Sequence, residues 1–169
     1  MESNGKWVLI SIAFNLFWLL MVLGQDEYLW LGAFFLLASW FASPDSALFA
    51  LLIAVQGILM DVILGRLGVF SFDSVFIPLW LVILWLGFAT FIWHVRDQIC
   101  DRSPGLIVLL GGAGGMMSYL AGARLGAVTL PWNSYLTASI LFACWVLFSA
   151  LILLWLKHYK KMSGKEAGV

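Results

Sequence analysis

Charged side chains are scarce in this chain: they make up 11% of its 169 residues, against 63% for hydrophobic ones, and the mean hydropathy is +1.02. Soluble domains usually carry about 25% charged and about 45–50% apolar residues. A single small core cannot hide so much apolar surface from water, which excludes a soluble enzyme, a nucleic-acid-binding protein and a disordered chain. The composition therefore predicts an integral membrane protein.

Cysteine and histidine are also rare, with two residues of each. Cys100 and Cys144 fall at different predicted depths, which disfavours a disulfide, and their spacing is not that of a metal or redox motif. The sequence contains no Ser–His–Asp set, no His-rich helix pair and no nucleotide motif, so we predict no cofactor and no metal and favour a protein that is not an enzyme. Nine basic residues balance nine acidic ones, so the net charge indicates no partner such as nucleic acid.

Six apolar segments are separated by short breaks that contain polar residues, glycine or proline. A helix needs about 20 residues to cross about 30 Å of hydrocarbon, where lipid offers the backbone no hydrogen-bond partners. We predict an all-α membrane protein with six transmembrane helices in a single polytopic domain, residues 1–169. The first segment ends without a cleavage site, so we interpret it as a helix rather than a signal peptide. The segments are Trp7–Gly24, Tyr28–Ala42, Ala47–Leu64, Val75–Val95, Leu106–Leu120 and Tyr135–Leu156.

The positive charges predict an orientation in which both termini are cytoplasmic. With the N-terminus inside, only Arg66 and Arg124 fall in outer segments. Tryptophans near the segment ends fit the aromatic belts of the two interfaces, and the basic C-terminal tail suits the anionic lipid of the bilayer. The basic residues of the inner segments are Lys6, Arg96, Arg102, Lys157, Lys160, Lys161 and Lys165.

A short internal similarity relates the segments that follow the third and fifth helices. Gly65–Val69 (Gly-Arg-Leu-Gly-Val) matches Ala123–Ala127 (Ala-Arg-Leu-Gly-Ala) at an offset of 58 residues, and the same offset places Gly57 on Gly115. Such a match is expected of repeated helix hairpins, with the first two helices as a degenerate third unit. A match of about five residues also arises by chance, and both explanations stay open.

Asp61 is the only carboxylate well inside an apolar segment. A charge at mid-bilayer costs about 2.5–3.5 kcal/mol on insertion scales and needs a partner or water, and the cost falls toward the outer interface, where Asp61 is predicted to lie. Arg66 and Arg124 are the candidate partners. One interpretation is an ion, proton or ligand site that opens outward, with Gln56 and Tyr119 as further ligand-binding candidates. The other is a structural Asp–Arg bridge between the third and fifth helices.

The fifth segment carries a stripe of small residues. It lacks the Gly-Lys-Ser/Thr of a phosphate loop and is embedded in apolar residues. Small residues spaced by three and four let membrane helices approach closely, so we predict that this stripe packs on the glycine face of the third helix, with Asp61 in the seam. The predicted packing residues are Gly57, Gly65, Gly111, Gly115, Gly122 and Gly126.

A dense polar stretch, His94–Arg102, follows the fourth segment. Within it His94, Asp97 and Asp101 have a helical spacing that suits a metal ion. A solvated cytoplasmic loop explains the same residues without a ligand, and we favour that interpretation.

The chain resembles an uncharacterised bacterial inner-membrane family, a domain of unknown function. The resemblance rests on Ile77–Thr90 and Gly111–Ala127, and above all on the signature Tyr119–Ala127, while Met116 stands where a proline is expected. It implies a bacterial inner membrane and, since family members tend to be encoded near genes for fatty-acid modification, a lipid-linked role. More distantly, Gly57–Gly68 is similar to the membrane subunit MreD of the rod-shape complex and to substrate-binding subunits of energy-coupling-factor vitamin transporters.

Three functions stay open at this point. We favour a non-catalytic protein that binds a small-molecule or lipid-like ligand from the outer side, near Asp61, Arg66 and Arg124, as a transport or accessory component. An anionic or lipid-like ligand is the expected partner. The alternative is an enzyme or enzyme partner in membrane-lipid modification, with His94–Arg102 as its active or docking surface. A scaffold that packs against a partner membrane protein would need no pocket.

Overall fold

The computed structural model describes residues 2–74 and 76–166. Within that part of the chain the architecture consists of seven α-helices, with a 3₁₀ turn at Gln25–Tyr28 and an isolated antiparallel bridge between Ser71 and Thr129. The predicted all-α architecture is confirmed. The helices are α1 (Glu2–Gly24), α2 (Leu29–Ala42), α3 (Asp45–Arg66), α4 (Leu79–His94), α5 (Arg96–Cys100), α6 (Pro104–Arg124) and α7 (Ser134–Glu166).

Each of the six predicted apolar segments forms a helix, and α5 is a further short helix in the polar stretch. In the described chain, four helical stretches are long and apolar enough to cross a membrane: Gly5–Ala42, Asp45–Arg66, Pro104–Arg124 and Ser134–Met162. Helix α4 has 16 residues, fewer than the about 20 that a span needs. The six helices are thus confirmed, whereas six crossings and the sidedness of the termini stay predictions.

Helix α1 runs antiparallel to α4. Phe14 stacks on Phe91 with ring centroids 4.6 Å apart. One turn further along α1, Phe17 lies against Gly87, about one turn earlier on α4. A side chain at Gly87 would overlap the Phe17 ring, so this glycine allows the two helices their close approach.

Helix α2 runs parallel to α4 and therefore antiparallel to α1. Gly32 near its start lies against Ile83, and the Trp40 indole near its end donates a hydrogen bond to the Thr90 hydroxyl at 3.0 Å. The chain reverses at the 3₁₀ turn, where Gln25 has a positive φ of 44°. The apolar stretch that contains α1 and α2 is thus a helical hairpin rather than one long helix.

By its internal contacts the chain divides into two compact units. The first comprises Met1–Val95 and Ala121–Asn133, and the second comprises Arg96–Leu120 and Ser134–Val169. The boundary crosses α6, so the last turn of that helix belongs to the first unit. The single-domain organisation stays a prediction.

Helices α3 and α4 form an antiparallel hairpin in the first unit. Phe49 near the start of α3 packs on Trp93 near the end of α4, with ring centroids 5.3 Å apart, and both side chains are buried. In a membrane such contacts stabilise through close packing, since lipid is as apolar as the side chains themselves. The side chains of this unit with less than 2% exposure include Met21, Ile53, Val69 and Phe70.

Helices α6 and α7 form an antiparallel hairpin in the second unit. Gly111 lies against Ser149, and Gly115 lies against Trp145, so increasing residue numbers on α6 meet decreasing ones on α7. Helix α7 continues to Glu166, well beyond the predicted end of the apolar segment at Leu156.

Candidate functional site

Asp61 is enclosed at the α3–α4 contact, with 0% of its surface exposed. Its Oδ2 accepts a hydrogen bond of 2.7 Å from the Trp85 indole of α4. One turn earlier on α3, Gly57 lies against the six-membered ring of the same indole, and a Cβ there would overlap the ring. The missing side chain brings Trp85 close enough to α3 for its N–H to reach the carboxylate. A hydrogen bond of this kind offsets part of the cost of a buried acid.

The two arginines differ from this carboxylate in exposure. Arg66 and Arg124 are exposed in the last turns of α3 and α6, whereas Asp61 is buried. The contact that the structure gives Asp61 across the helix pair is the Trp85 indole, and the Asp–Arg bridge stays a prediction. Asp61 itself has no exposed surface, and the outward-opening site stays a prediction.

Helices α3 and α6 each end in a turn of the same type, directly after Arg66 and Arg124. These two turns are the two copies of the short internal similarity. In each copy a glycine with positive φ follows the helix, Gly68 at 76° and Gly126 at 80°, a conformation that glycine adopts without strain. Each turn is a Schellman C-cap. The cap bonds are Gly68 N–H to Gly65 O (3.0 Å) and Val69 N–H to Leu64 O (3.0 Å) in the first copy, and Gly126 N–H to Ala123 O (3.1 Å) and Ala127 N–H to Gly122 O (2.9 Å) in the second.

A main-chain bridge joins the two copies. The Ser71 N–H donates to Thr129 O at 2.9 Å, and the Thr129 N–H donates to Ser71 O at 2.8 Å. Ser71 and Thr129 are related by the same offset of 58 residues as the two arginines. A reciprocal pair of bonds between equivalent residues is the arrangement that a local two-fold axis produces. Residues 64–71 and 122–129 thus share the same cap bonds and meet at equivalent positions, as an internal repeat predicts.

The predicted packing glycines have different neighbours from one another. Gly57 contacts Trp85 of α4, a contact that was not predicted, and the pairing of the third and fifth helices stays a prediction. Gly65 and Gly122 have only ordinary van der Waals neighbours and act as cap acceptors. A Cβ at Gly126 would have no atom within 4 Å, so its role lies in the turn rather than in helix packing.

The glycine stripe of α6 packs on α7 within the second unit. A Cβ at Gly111 would overlap Ser149, and one at Gly115 would overlap the Trp145 indole. Tyr119, predicted as a ligand-binding residue, is 8% exposed and meets Trp145 edge-on with ring centroids 6.3 Å apart. In this unit the stripe therefore serves close helix packing.

Gln56 forms a hydrogen bond within its own helix. Its side-chain amide donates to the Leu52 carbonyl at 2.8 Å, one turn earlier on α3. It lies ten residues before Arg66 on the same helix, about 15 Å along the axis at 1.5 Å per residue. The structure therefore does not bring Gln56 to Arg66.

Polar side chains also connect α2 to α4 at the end that carries His94. The His94 Nε2 lies 3.1 Å from the Ser39 hydroxyl, beside the bond between Trp40 and Thr90. These contacts were not predicted, because the pairing of side chains on different helices leaves no signal in the residue spacing of either helix. The available signal was the indole N–H itself, since a tryptophan inside an apolar segment needs an acceptor.

The polar stretch after α4 continues into the second unit as α5. Asp101 forms a 3.4 Å ion pair with Lys160 of α7, but both side chains are more than half exposed and the pair contributes little. Burial raises the pKa of the Cys100 thiol, and the nearby charge of Lys160 opposes that shift. In the described residues no group of three or more His, Cys, Asp or Glu side chains is arranged to hold a metal ion.

The fold and these contacts define a class: an all-helical protein with helices long and apolar enough to cross a membrane several times. The chain belongs to the family DUF2878, described as a protein of unknown function, which matches residues 7–151. This confirms the expected membership in a family of unknown function that covers most of the chain. No curated protein and no solved structure matches the chain, and the resemblances to MreD and to energy-coupling-factor subunits stay predictions.

Proposed function

We propose that this protein is a six-helix protein of the bacterial inner membrane, with both termini in the cytoplasm, that binds an anionic, lipid-like ligand without catalysing a reaction. It would act as a component of transport or as an accessory to other membrane proteins. The reversal between α1 and α2 supports six crossings, because it separates two antiparallel apolar helices. The excess of basic residues in the inner segments supports the orientation.

The observation that carries this proposal is the pair of arginines at equivalent helix ends. Arg66 and Arg124 are exposed, each follows an apolar helix, and the bridge between Ser71 and Thr129 joins their turns. Guanidinium groups offer planar pairs of N–H donors that match the oxygens of carboxylates and phosphates. In the proposed orientation these are the two basic residues of the outer face, where an anionic head group would meet them.

Asp61 has a supporting role in this proposal. The carboxylate accepts the Trp85 indole and so links α3 to α4 below the turn that carries Arg66. We therefore assign ligand contact to the arginines and positioning of α3 to Asp61. Gln56 and Tyr119 lie outside the proposed contact.

Native mass spectrometry of the protein, extracted gently from its own membrane, tests the proposal. The wild type is expected to carry a discrete bound mass that the double variant Arg66→Gln/Arg124→Gln loses. Arg102→Gln is the matched control, because it removes an exposed arginine from the opposite predicted face. A wild-type protein without a bound mass, or a double variant that keeps it, would contradict the proposal.

A further inference from the structure

We infer that the ligand presents one phosphate group, carried by a lipid, which Arg66 and Arg124 hold together on the local two-fold axis. This inference rests on the proposed function and names its ligand class.

The symmetry comes from the repeated turns. The chain path from each arginine to the bridge has the same helix end, the same C-cap bonds and the same positive-φ glycine. An axis that exchanges Ser71 and Thr129 therefore also exchanges Arg66 and Arg124. Two side chains related in this way are equally distant from the axis, so a single group that contacts both in the same manner lies on it.

Charge and shape favour a phosphate among the anions that could lie on the two-fold axis and contact both arginines. A phosphate monoester carries a charge of about −1.5 to −2 at pH 7 and three strong acceptor oxygens. It can therefore neutralise two guanidinium groups and accept hydrogen bonds from both. A carboxylate or a phosphodiester carries a single negative charge and leaves about one positive charge uncompensated.

The residues beside the arginines favour a lipid over free phosphate. Leu67 and Leu125 directly follow Arg66 and Arg124, and they are 62% and 42% exposed. A matched pair of apolar side chains beside a matched pair of cations suits a charged head group with acyl chains. The exposed carboxylate of Asp73, two residues after Ser71, opposes anion binding, so Asp73→Asn is expected to strengthen it.

The test measures the binding of defined lipids to the detergent-solubilised full chain. Phosphatidic acid is compared with phosphatidylglycerol and a fatty acid of the same acyl chains, and with inorganic phosphate. Wild type is expected to prefer phosphatidic acid about tenfold over the other lipids. Arg66→Gln and Arg124→Gln are each expected to raise its Kd about tenfold, and the double variant by much less than a hundredfold, because one phosphate needs both arginines. Arg102→Gln controls for net charge, and gel filtration checks folding.

Each outcome decides a separate point. Unequal single variants, an additive double variant, or equal binding of phosphatidylglycerol or the fatty acid through the arginines would overturn the shared phosphate and leave the proposed function standing. If no anion responds to either arginine, both proposals fail. If inorganic phosphate binds as tightly as phosphatidic acid, the phosphate chemistry stands and the lipid source is wrong.

Discussion

The hairpins α3–α4 and α6–α7 bring their helices together in the same way, with a glycine opposite a tryptophan. Gly57 lies against Trp85 in one hairpin, and Gly115 lies against Trp145 in the other. One turn after each glycine the hairpins differ. Asp61 accepts the indole N–H in the first, whereas Tyr119, at the equivalent position, packs edge-on against the ring in the second. Close approach of the helices therefore does not require a carboxylate. Asp61 is an addition to the glycine–tryptophan contact that both hairpins have, which we call the shared packing device.

The hairpins can first be compared by the side of the membrane on which their equivalent residues lie. If both are copies, Cys100 before α6 and an Ala42→Cys variant before α3 share one side, whereas Asp73→Cys and Pro131→Cys after these helices share the other. The measurement is labelling by a membrane-impermeant maleimide, one cysteine at a time, with Cys144→Ala as background. We expect the first pair to react only after the inner membrane is opened, an all-or-none difference.

The chemistry of Cys100 provides an internal check on that experiment. Burial raises the pKa of its thiol, which lowers the fraction of reactive thiolate at neutral pH. Labelling of Cys100 in opened membranes is therefore expected to accelerate as the pH rises from 7 to 9. Reaction of Asp73→Cys and Pro131→Cys on opposite sides would refute the equivalence of the two hairpins.

Substitution of the glycines tests whether the shared packing device is needed in both hairpins. Gly115→Ala would place a Cβ into Trp145 atoms close to the α7 backbone, and Gly57→Ala into the edge of the Trp85 ring. We expect each to lower the free energy of unfolding by about 1–3 kcal/mol, the range for overpacked cores. Thermal unfolding in detergent measures the effect.

Gly114 is the matched control on α6, because a Cβ there would have no atom within 4 Å. Gly114→Ala should be neutral or stabilising by up to about 1 kcal/mol, since alanine is the better helix former. Equal destabilisation by Gly114→Ala and Gly115→Ala would show that helix propensity rather than the tryptophan contact decides.

Substitution of Trp85 isolates what the acid adds to the first hairpin. Trp85→Phe removes the indole donor and leaves the buried Asp61 carboxylate with one hydrogen bond fewer, at an expected cost of about 1–3 kcal/mol beyond the loss of ring area. The companion variant Trp80→Phe removes an equally buried indole from the same helix, where the ring packs on Phe72. The same loss of stability in both variants would mean that the bond to Asp61 contributes nothing.

The helices were predictable because each depends on a local run of apolar residues. Their ends were less so, since hydropathy marks the edge of the membrane and not the end of the helix. Helix α7 passes Leu156 into a lysine-rich tail, which is a good helix former in water. The predicted start of α4 at Val75 falls outside the described residues, and α4 begins at Leu79 after Pro78, whose extended backbone forms the N-cap.

The candidate site was predictable where its features depend on the residues of one segment alone. The two Arg-Leu-Gly turns were visible, because positive φ selects glycine at a fixed distance from the helix end. The bond between Trp85 and Asp61 was not, because charge suggested an arginine and not an indole on the neighbouring helix. The choice between them depends on helix packing, which the spacing of residues along one segment does not contain.

The bridge between Ser71 and Thr129 consists of main-chain atoms alone. Bonds of this kind do not depend on the side chains of the two residues. Only proline would prevent them, because it lacks the N–H donor. The paired turns can therefore drift apart in sequence over evolutionary time and still remain joined at the same point. If the two hairpins are copies of one another, a bridge of this kind would persist after most of their sequence resemblance was lost.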